Sequence, residues 1–226
     1  FFIYIFQKKR STKKKNSFLY GLFFGYGYFL TTLYWISISL TFDENFSFLI
    51  PFVLILIPLF LGTFYGLATY CFFIINIKKP FSNLLLFSLL FGLTEFFRGN
   101  IFTGFPWNLI VFSLSENLEI LQTLSFIGTY GFNILCISFF ASPAIFILRG
   151  NRKEIFVSII FLLSPFILYS FGSANIKLFY SSNVVKNDYV IRVIGSNINL
   201  DRVYGNFDTA EVINELIEIS QPDPEI

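Results

Sequence analysis

Glu95 and Arg98 place a carboxylate and a guanidinium three residues apart in an otherwise apolar stretch. Side chains at this spacing share one face of a helix, so the two can form an ion pair. Because a charge at the centre of a bilayer costs about 2.5–3.5 kcal/mol on insertion scales, such groups usually face a partner or a cavity. Two interpretations stay open: an interfacial ion pair that anchors a helix, or a polar floor beneath a lipid headgroup.

Residues 105–108, Phe-Pro-Trp-Asn, follow closely and combine a fixed turn with an amphipathic aromatic side chain. Tryptophan suits the headgroup layer of a membrane because its ring is apolar while its N–H is polar. Aromatic residues are common at that level, so this motif alone is weak. We take Glu95, Arg98 and Trp107 as candidate substrate-binding residues.

Other chemistry has little support among the residue types. The chain contains no histidine, which excludes imidazole catalysis and histidine metal ligation within it. Cys71 and Cys136 lie in separate apolar stretches, a placement typical of small buried hydrophobic residues rather than of a disulfide or zinc site. No glycine-rich phosphate loop and no nucleophile elbow occurs in the sequence. We therefore expect neither a metal nor a cofactor.

The composition indicates which solvent surrounds these residues. Hydrophobic residues make up 55% of the 226 positions, charged residues make up 13%, and the mean hydropathy is +0.69. A soluble domain typically carries about 25% charged residues. Because a chain this apolar cannot hide its surface in one globular core, the sequence predicts a membrane protein.

Long apolar stretches predict a polytopic α-helical membrane bundle over residues 18–174. A helix needs about 20 apolar residues to cross a hydrocarbon core of about 30 Å. We expect five complete spans, at residues 18–40, 48–77, 81–97, 118–148 and 155–171. Residues 1–6 are interpreted as the end of a further membrane helix and residues 7–17 as a basic cytoplasmic loop. Residues 99–117 are expected to form a semi-polar loop or a re-entrant segment.

The basic residues set the expected orientation of these spans. Lysines and arginines fall in alternate loops, at positions 8, 9, 10, 13, 14, 15, 78, 79, 149, 152 and 153. The intervening loops contain acidic residues and Arg98. By the positive-inside rule the lysine-rich loops are cytoplasmic. Five spans then deliver Asn175 and the residues after it to the outer side of the membrane.

The character of the chain changes after residue 188. Residues 189–194 are rich in β-branched side chains and predict a strand. Residues 207–220 carry apolar side chains at helical spacing and predict a helix. We expect residues 189–226 to begin an α/β domain that a linker at 175–188 joins to the bundle. The chain has no methionine and ends within this unit, so we interpret it as a fragment of a longer protein.

Several stretches resemble the bacterial apolipoprotein N-acyltransferases in the order in which that family has them. The most specific runs from residues 94–99, Thr-Glu-Phe-Phe-Arg-Gly, into residues 102–109, Phe-Thr-Gly-Phe-Pro-Trp-Asn-Leu. The others are residues 25–30 with 33–36, residues 121–122 with 128–132, and residues 191–198. The last of these is similar to the opening strand of the family's nitrilase-like domain, an α-β-β-α sandwich.

The resemblance implies a covalent acyl transfer from a phospholipid to the amino-terminal diacylglyceryl-cysteine of lipoproteins. The family uses a Glu-Lys-Cys triad in its outer domain, in which the Cys thiolate carries the acyl chain as a thioester. That triad would lie beyond Ile226. We therefore expect no catalytic residue in this chain, and we expect the chain alone to be inactive.

The resemblance also implies partners and a location. The partners are a phospholipid acyl donor and diacylglyceryl-modified lipoproteins, with no nucleic acid, and the protein is expected to be a monomer. The location is the bacterial inner membrane, with a periplasmic C-terminal domain. One departure concerns Asn199-Leu200 and Val203-Tyr204, where the family usually has Pro-Gln and Lys-Trp. Tyr204 is a candidate for the aromatic wall beside the acyl chain.

Two other functions remain open at the level of sequence. A transporter or channel subunit is compatible with proline-containing spans and an intramembrane Glu95–Arg98 pair, but no inverted repeat is evident. A nitrilase-type hydrolase anchored to the membrane is the third, although a single anchor would suffice for it.

Overall fold

The computed structural model describes residues 14–75, 77–102, 104–148, 150–182, 193 and 209–220. The chain divides into two compact units, Phe1–Ser181 and Ser182–Ile226. In its described residues all regular secondary structure of the first unit is helical. Its α-helices, in chain order, are α1 (Lys14–Leu33), α2 (Ile50–Ile75), α3 (Pro80–Asn100), α4 (Leu118–Leu121), α5 (Leu124–Ala141), α6 (Ala144–Ile147) and α7 (Arg152–Ser181).

Four helical segments of the described chain are long and apolar enough to cross a membrane. They are Glu44–Ile75, Pro80–Asn100, Leu124–Ile147 and Arg152–Ser181. Helix α1 covers most of the first expected span but is not among the four, because lysine, glycine, tyrosine and threonine residues lower its hydropathy. The described chain is therefore helical, as predicted, and carries four candidate membrane spans where five were expected.

The expected span at residues 18–40 is divided between two kinds of helix. The α-helix ends at Leu33, and Tyr34–Thr41 continue as a 3₁₀ helix. Within that segment the hydroxyls of Ser37 and Ser39 donate to the carbonyls three residues earlier, at 2.7 and 2.6 Å. Serine side chains offer the backbone an alternative to α-helical bonding in this way, and apolar run length alone does not reveal it.

The expected span at residues 118–148 is likewise broken into α4, α5 and α6. Gly128 interrupts the start of α5 with φ +65°, a left-handed conformation that favours glycine. Ser142 and Pro143 separate α5 from α6. At the other end of the unit, α7 is longer than its expected span of 155–171 and continues to Ser181.

Small residues allow α1 and α2 to lie against each other. A Cβ atom on Gly25 would come within 2.8 Å of the Cα atom of Gly62, so neither position leaves room for a larger side chain. Across the same contact Thr69 Oγ1 donates to the carbonyl of Ser17 at 2.8 Å. Gly21 and Gly25 of α1, like Gly62 and Gly66 of α2, have the Gly-xxx-Gly spacing that lets two helices come into close contact.

The second unit contributes one described helix, α8 (Thr209–Ser220). It lies within residues 207–220, where the periodicity predicts a helix. The strand expected at residues 189–194 falls outside the described residues except for Val193, and Tyr204 falls outside them as well. The described part of this unit contains no strand, so the α/β domain stays a prediction.

Candidate functional site

Glu95 is fully buried near the C-terminal end of α3, and both of its carboxylate oxygens accept a hydrogen bond. Tyr65 Oη donates to Oε1 at 2.5 Å and Asn133 Nδ2 donates to Oε2 at 2.5 Å. The Oδ1 atom of Asn133 in turn accepts from the backbone N–H of Val111 at 3.0 Å. A carboxylate withdrawn from water needs such donors. Glu95 therefore links α3 to α2, to α5 and to the 3₁₀ helix Ile110–Leu114.

Tyr65 lies in α2 and packs in an aromatic cluster with Phe29 of α1 and Phe91 of α3. Its side chain is 1% exposed, and its ring centroid lies 5.3 Å from that of Phe29 and 5.2 Å from that of Phe91. A buried tyrosine hydroxyl requires a partner, and here Glu95 is that partner. The ring packing thus fixes where the hydroxyl meets the carboxylate.

Arg98 lies one turn after Glu95 and is 2% exposed. Its Nη1 atom donates to the carbonyls of Phe105 at 2.7 Å and Trp107 at 2.9 Å. Its Nη2 atom is 3.9 Å from Glu95 Oε1, which makes an ion pair without a hydrogen bond. The guanidinium carbon lies 5.1 Å from the ring centroid of Phe29 and 6.0 Å from that of Phe105. Arg98 thereby fastens the loop after α3 to the bundle.

Two donors of Arg98, Nε and Nη2, are buried without a hydrogen-bond partner. A buried donor left unsatisfied costs about 1–3 kcal/mol, and a charged one costs more. Arg98 lines a cleft of about 230 Å³ between α2 and the loop, which we call the Arg98 cleft. The other residues that line it are glycine or apolar: Ile57, Phe60, Leu61, Phe64, Ile101, Phe102, Gly104 and Phe105. The cleft therefore combines one cation with an apolar wall.

The loop between α3 and Ile110 has an unusual backbone. Phe102, Gly104 and Asn108 have positive φ angles of 59°, 74° and 57°. For a bulky side chain such as Phe102 this conformation is a genuine outlier, and strain of this kind concentrates at functional sites. The ring of Phe102 is nevertheless 83% exposed. Asn108 is held in place because its carbonyl accepts from Tyr28 Oη at 2.8 Å.

Trp107 stacks on Trp35, which joins the same loop to the 3₁₀ helix after α1. The ring centroids are 5.3 Å apart with an interplanar angle of 21°, and both side chains are nearly half exposed. Aromatic pairs of this geometry contribute about 0.5–1.5 kcal/mol beyond their buried area. The stack therefore adds to the Arg98 contacts in holding the loop.

The structure brings three of the four sequence-predicted residues together. Glu95 and Arg98 form the expected ion pair, and Arg98 binds the backbone of Trp107. Sequence reasoning missed Tyr65 and Asn133, the two donors to Glu95. A polar amide within an apolar stretch was the available signal for Asn133, since such residues face a bundle interior. No comparable signal marks Tyr65 among the 12 tyrosines of the chain.

Comparison with known proteins identifies a family that matches more than half of the chain. Residues 1–142 match the family described as "Apolipoprotein N-acyltransferase N-terminal domain". A protein of Rhodopseudomonas palustris named apolipoprotein N-acyltransferase is 31% identical over 205 residues, which is 88% of this chain and 37% of that protein. Proteins of the same name from Rickettsia typhi and Rickettsia prowazekii are 34% and 35% identical over 170 residues, 74% of this chain and 33% of each relative.

The chain spans about a third of the length of these curated relatives. No solved structure matches it. Similarity to this family across most of the chain does not favour the transporter or channel subunit that the sequence left open.

Proposed function

The chain belongs to the apolipoprotein N-acyltransferase family, and from this membership we propose that it is the membrane part of a phospholipid-dependent N-acyltransferase. The acceptor is the amino-terminal diacylglyceryl-cysteine of lipoproteins. The observation that carries the proposal is the family match over residues 1–142, together with the buried network that holds the loop after α3 against the bundle. That loop includes residues 102–109, part of the stretch on which the resemblance to the family rests.

The proposed reaction proceeds in two acyl transfers. A cysteine thiolate attacks an ester carbonyl of the phospholipid, the lysophospholipid leaves, and a thioester forms. The α-amine of the lipoprotein then attacks the thioester carbonyl, an amide bond forms as the C–S bond breaks, and the thiolate and one amine proton are released. We assign these steps to a nitrilase-like outer domain with a Glu-Lys-Cys triad, as the family resemblance implies.

Neither cysteine of the described residues suits the role of nucleophile. Cys136 is 2% exposed and packs with Leu109, Val111 and Phe132 in an apolar cluster. Cys71 lies within α2, one of the four segments able to cross a membrane. Reactive cysteines require a partly exposed, electropositive environment, and buried apolar ones are inert.

We propose a multi-pass location in the bacterial inner membrane with the C-terminal unit in the periplasm. Basic residues lie at the start of α1, between α2 and α3, and at the start of α7, which are successive positions on one side of an up-and-down bundle. By the positive-inside rule this side is cytoplasmic. Arg98 stands at the opposite end of α3 and therefore belongs to the outer leaflet.

The candidate substrate-binding residues receive different roles in this proposal. Trp107, nearly half exposed beside Trp35, sits in the headgroup layer of the outer leaflet. Glu95 positions the surrounding elements, because its oxygens are already bound by protein donors. Arg98 holds the loop and lines the Arg98 cleft. Tyr204 is assigned to an aromatic wall beside the acyl chain, on the resemblance alone.

Thioester trapping on the full-length parent tests the function. The enzyme is incubated with a phospholipid that carries a labelled acyl chain and no lipoprotein. We expect one label per protein, released by neutral hydroxylamine and transferred to a diacylglyceryl-cysteine peptide added later. A parent in which Cys71 and Cys136 are both replaced by alanine is the control and should trap the label equally. Failure to form a thioester with phospholipid alone contradicts the proposal.

A further inference from the structure

The guanidinium of Arg98 is fixed in one orientation by contacts on three sides. Its Nη1 atom is occupied by the carbonyls of Phe105 and Trp107. The rings of Phe29 and Phe105 lie 5.1 and 6.0 Å from its central carbon. The Nε and Nη2 atoms, which form the other edge of the guanidinium, have no hydrogen-bond partner.

That edge is the fork with which arginine binds carboxylates and phosphates in a bidentate manner. Glu95 does not occupy it, since Nη2 approaches Oε1 only to 3.9 Å and both carboxylate oxygens already accept from Tyr65 and Asn133. A buried cation with an open fork is an incomplete arrangement. An anion with two acceptor oxygens would complete it.

We propose that the Arg98 cleft binds a phosphate group, with Nε and Nη2 of Arg98 as the donors and Phe60, Phe64 and Phe102 as the apolar wall beside it. The proposal deepens the proposed function and rests on it, because it assigns the Arg98 end of α3 to phosphate recognition in the outer leaflet. The wall suits the glycerol and chain carbons of a phospholipid. Inorganic phosphate shares the same recognition chemistry.

Access to the fork requires a movement of the cleft wall, because Nε and Nη2 are enclosed. Phe102 is the wall residue with the least packing to lose, since its side chain is 83% exposed and its φ is 59°. Its nearest aromatic contact is Phe60, with ring centroids 6.2 Å apart. We therefore assign the opening of the cleft to a shift of Phe102.

Two substitutions at Phe102 provide a matched test that leaves Arg98 intact. Asparagine and aspartate tolerate a positive φ better than phenylalanine does, so Phe102→Asn and Phe102→Asp should both fold. They differ in charge alone. A carboxylate at the mouth of the cleft competes with phosphate for the cation, whereas the amide does not. Arg152→Gln removes an exposed cation from the start of α7 and serves as the charge control.

The readout is lipid retention measured by native mass spectrometry on the purified chain in detergent. The probes are phosphatidylglycerol and a galactosyl diacylglycerol with identical acyl chains. We expect the unmodified chain and Arg152→Gln to retain phosphatidylglycerol over the glycolipid by about tenfold, the effect of one bidentate charge-assisted contact. Phe102→Asn loses part of the apolar wall, so it should retain less of both lipids while keeping this preference for phosphatidylglycerol. Phe102→Asp should lose this preference.

A titration with inorganic phosphate separates the two sources of the phosphate. Phospholipid that stays bound in excess phosphate assigns the cleft to a lipid headgroup, and displacement assigns it to the phosphate group alone. Equal retention of both lipids, or equal behaviour of Phe102→Asp and Phe102→Asn, overturns the proposal. None of these measurements uses acyl transfer, so a negative result here is distinguishable from a failure of thioester trapping.

Discussion

Arg98 and Trp107 are joined through the main chain, since Nη1 of the arginine donates to the tryptophan carbonyl at 2.9 Å. The indole of Trp107 is nearly half exposed, so its position depends on this backbone contact and on its stack with Trp35. One guanidinium thus couples the ion pair on α3 to the aromatic pair at the bundle surface. Arg98 acts together with Tyr28, whose hydroxyl donates to the carbonyl of Asn108, in holding the loop after α3.

Replacement of Arg98 by glutamine is expected to release this loop. The substitution leaves Glu95 without its counter-charge and frees the carbonyls of Phe105 and Trp107. Breaking a buried pair from one side typically costs about 3–5 kcal/mol. We expect a lower melting temperature in detergent and a change in tryptophan fluorescence as Trp107 leaves Trp35.

Arg98→Lys and Arg152→Gln are the control variants for this prediction. Lysine keeps the charge but has no planar fork, so it should restore part of the stability. Arg152 is exposed, and its loss should leave both melting and fluorescence unchanged. Unchanged tryptophan emission in Arg98→Gln would show that the loop is held by other contacts.

Substitutions at Tyr65 and Glu95 are expected to be energetically coupled, because the two side chains share a buried hydrogen bond. Tyr65→Phe leaves a buried carboxylate oxygen without its donor, which costs about 1–3 kcal/mol. In a Glu95→Ala background the hydroxyl has already lost its acceptor, so the same change should have little effect. A double-mutant cycle on thermal or denaturant stability measures the difference, expected at roughly 0.5–3 kcal/mol.

Tyr20→Phe is the control for this cycle because Tyr20 is exposed on α1. It should behave alike in both backgrounds. If Glu95→Ala does not fold, Glu95→Leu replaces it, since leucine fills a similar volume and has no acceptor oxygen. Additive effects of the Tyr65 and Glu95 changes would contradict the hydrogen bond.

The contact between α1 and α2 predicts opposite outcomes for two glycines of α1. An alanine Cβ at position 25 would lie 2.8 Å from the Cα atom of Gly62, whereas one at position 27 would meet nothing within 4 Å. Gly25→Ala should destabilise the bundle by about 1–3 kcal/mol through overpacking. Gly27→Ala should be neutral or stabilising by up to about 1 kcal/mol, because alanine favours a helix. Melting of both variants in the same detergent decides whether the helices touch as described.

The sequence predicts local relationships in this protein better than distant ones. The contact between Glu95 and Arg98 could be predicted from the sequence, because helical spacing alone brings both side chains to one face. Tyr65 and Asn133 could not be joined to them, since they lie 30 and 38 residues from Glu95 and meet it only after α2, α3 and α5 pack. Composition likewise predicts membrane helices, yet the end of α1 at Leu33 and the break at Gly128 depend on backbone preferences that hydropathy does not measure.

The proposed orientation predicts which loops a membrane-impermeant thiol reagent can reach. In a chain with Cys71 and Cys136 replaced by alanine, a cysteine is introduced at Ser115, in the exposed turn before α4, or at Asn151, just before α7. Both positions are exposed, so burial does not separate them. Because the lysine-rich ends should face the cytoplasm, Ser115→Cys should react once the outer membrane is made permeable, whereas Asn151→Cys should react only after the inner membrane is broken. The reverse pattern would place the Arg98 end of α3 in the cytoplasmic leaflet and would exclude a periplasmic role for its loop.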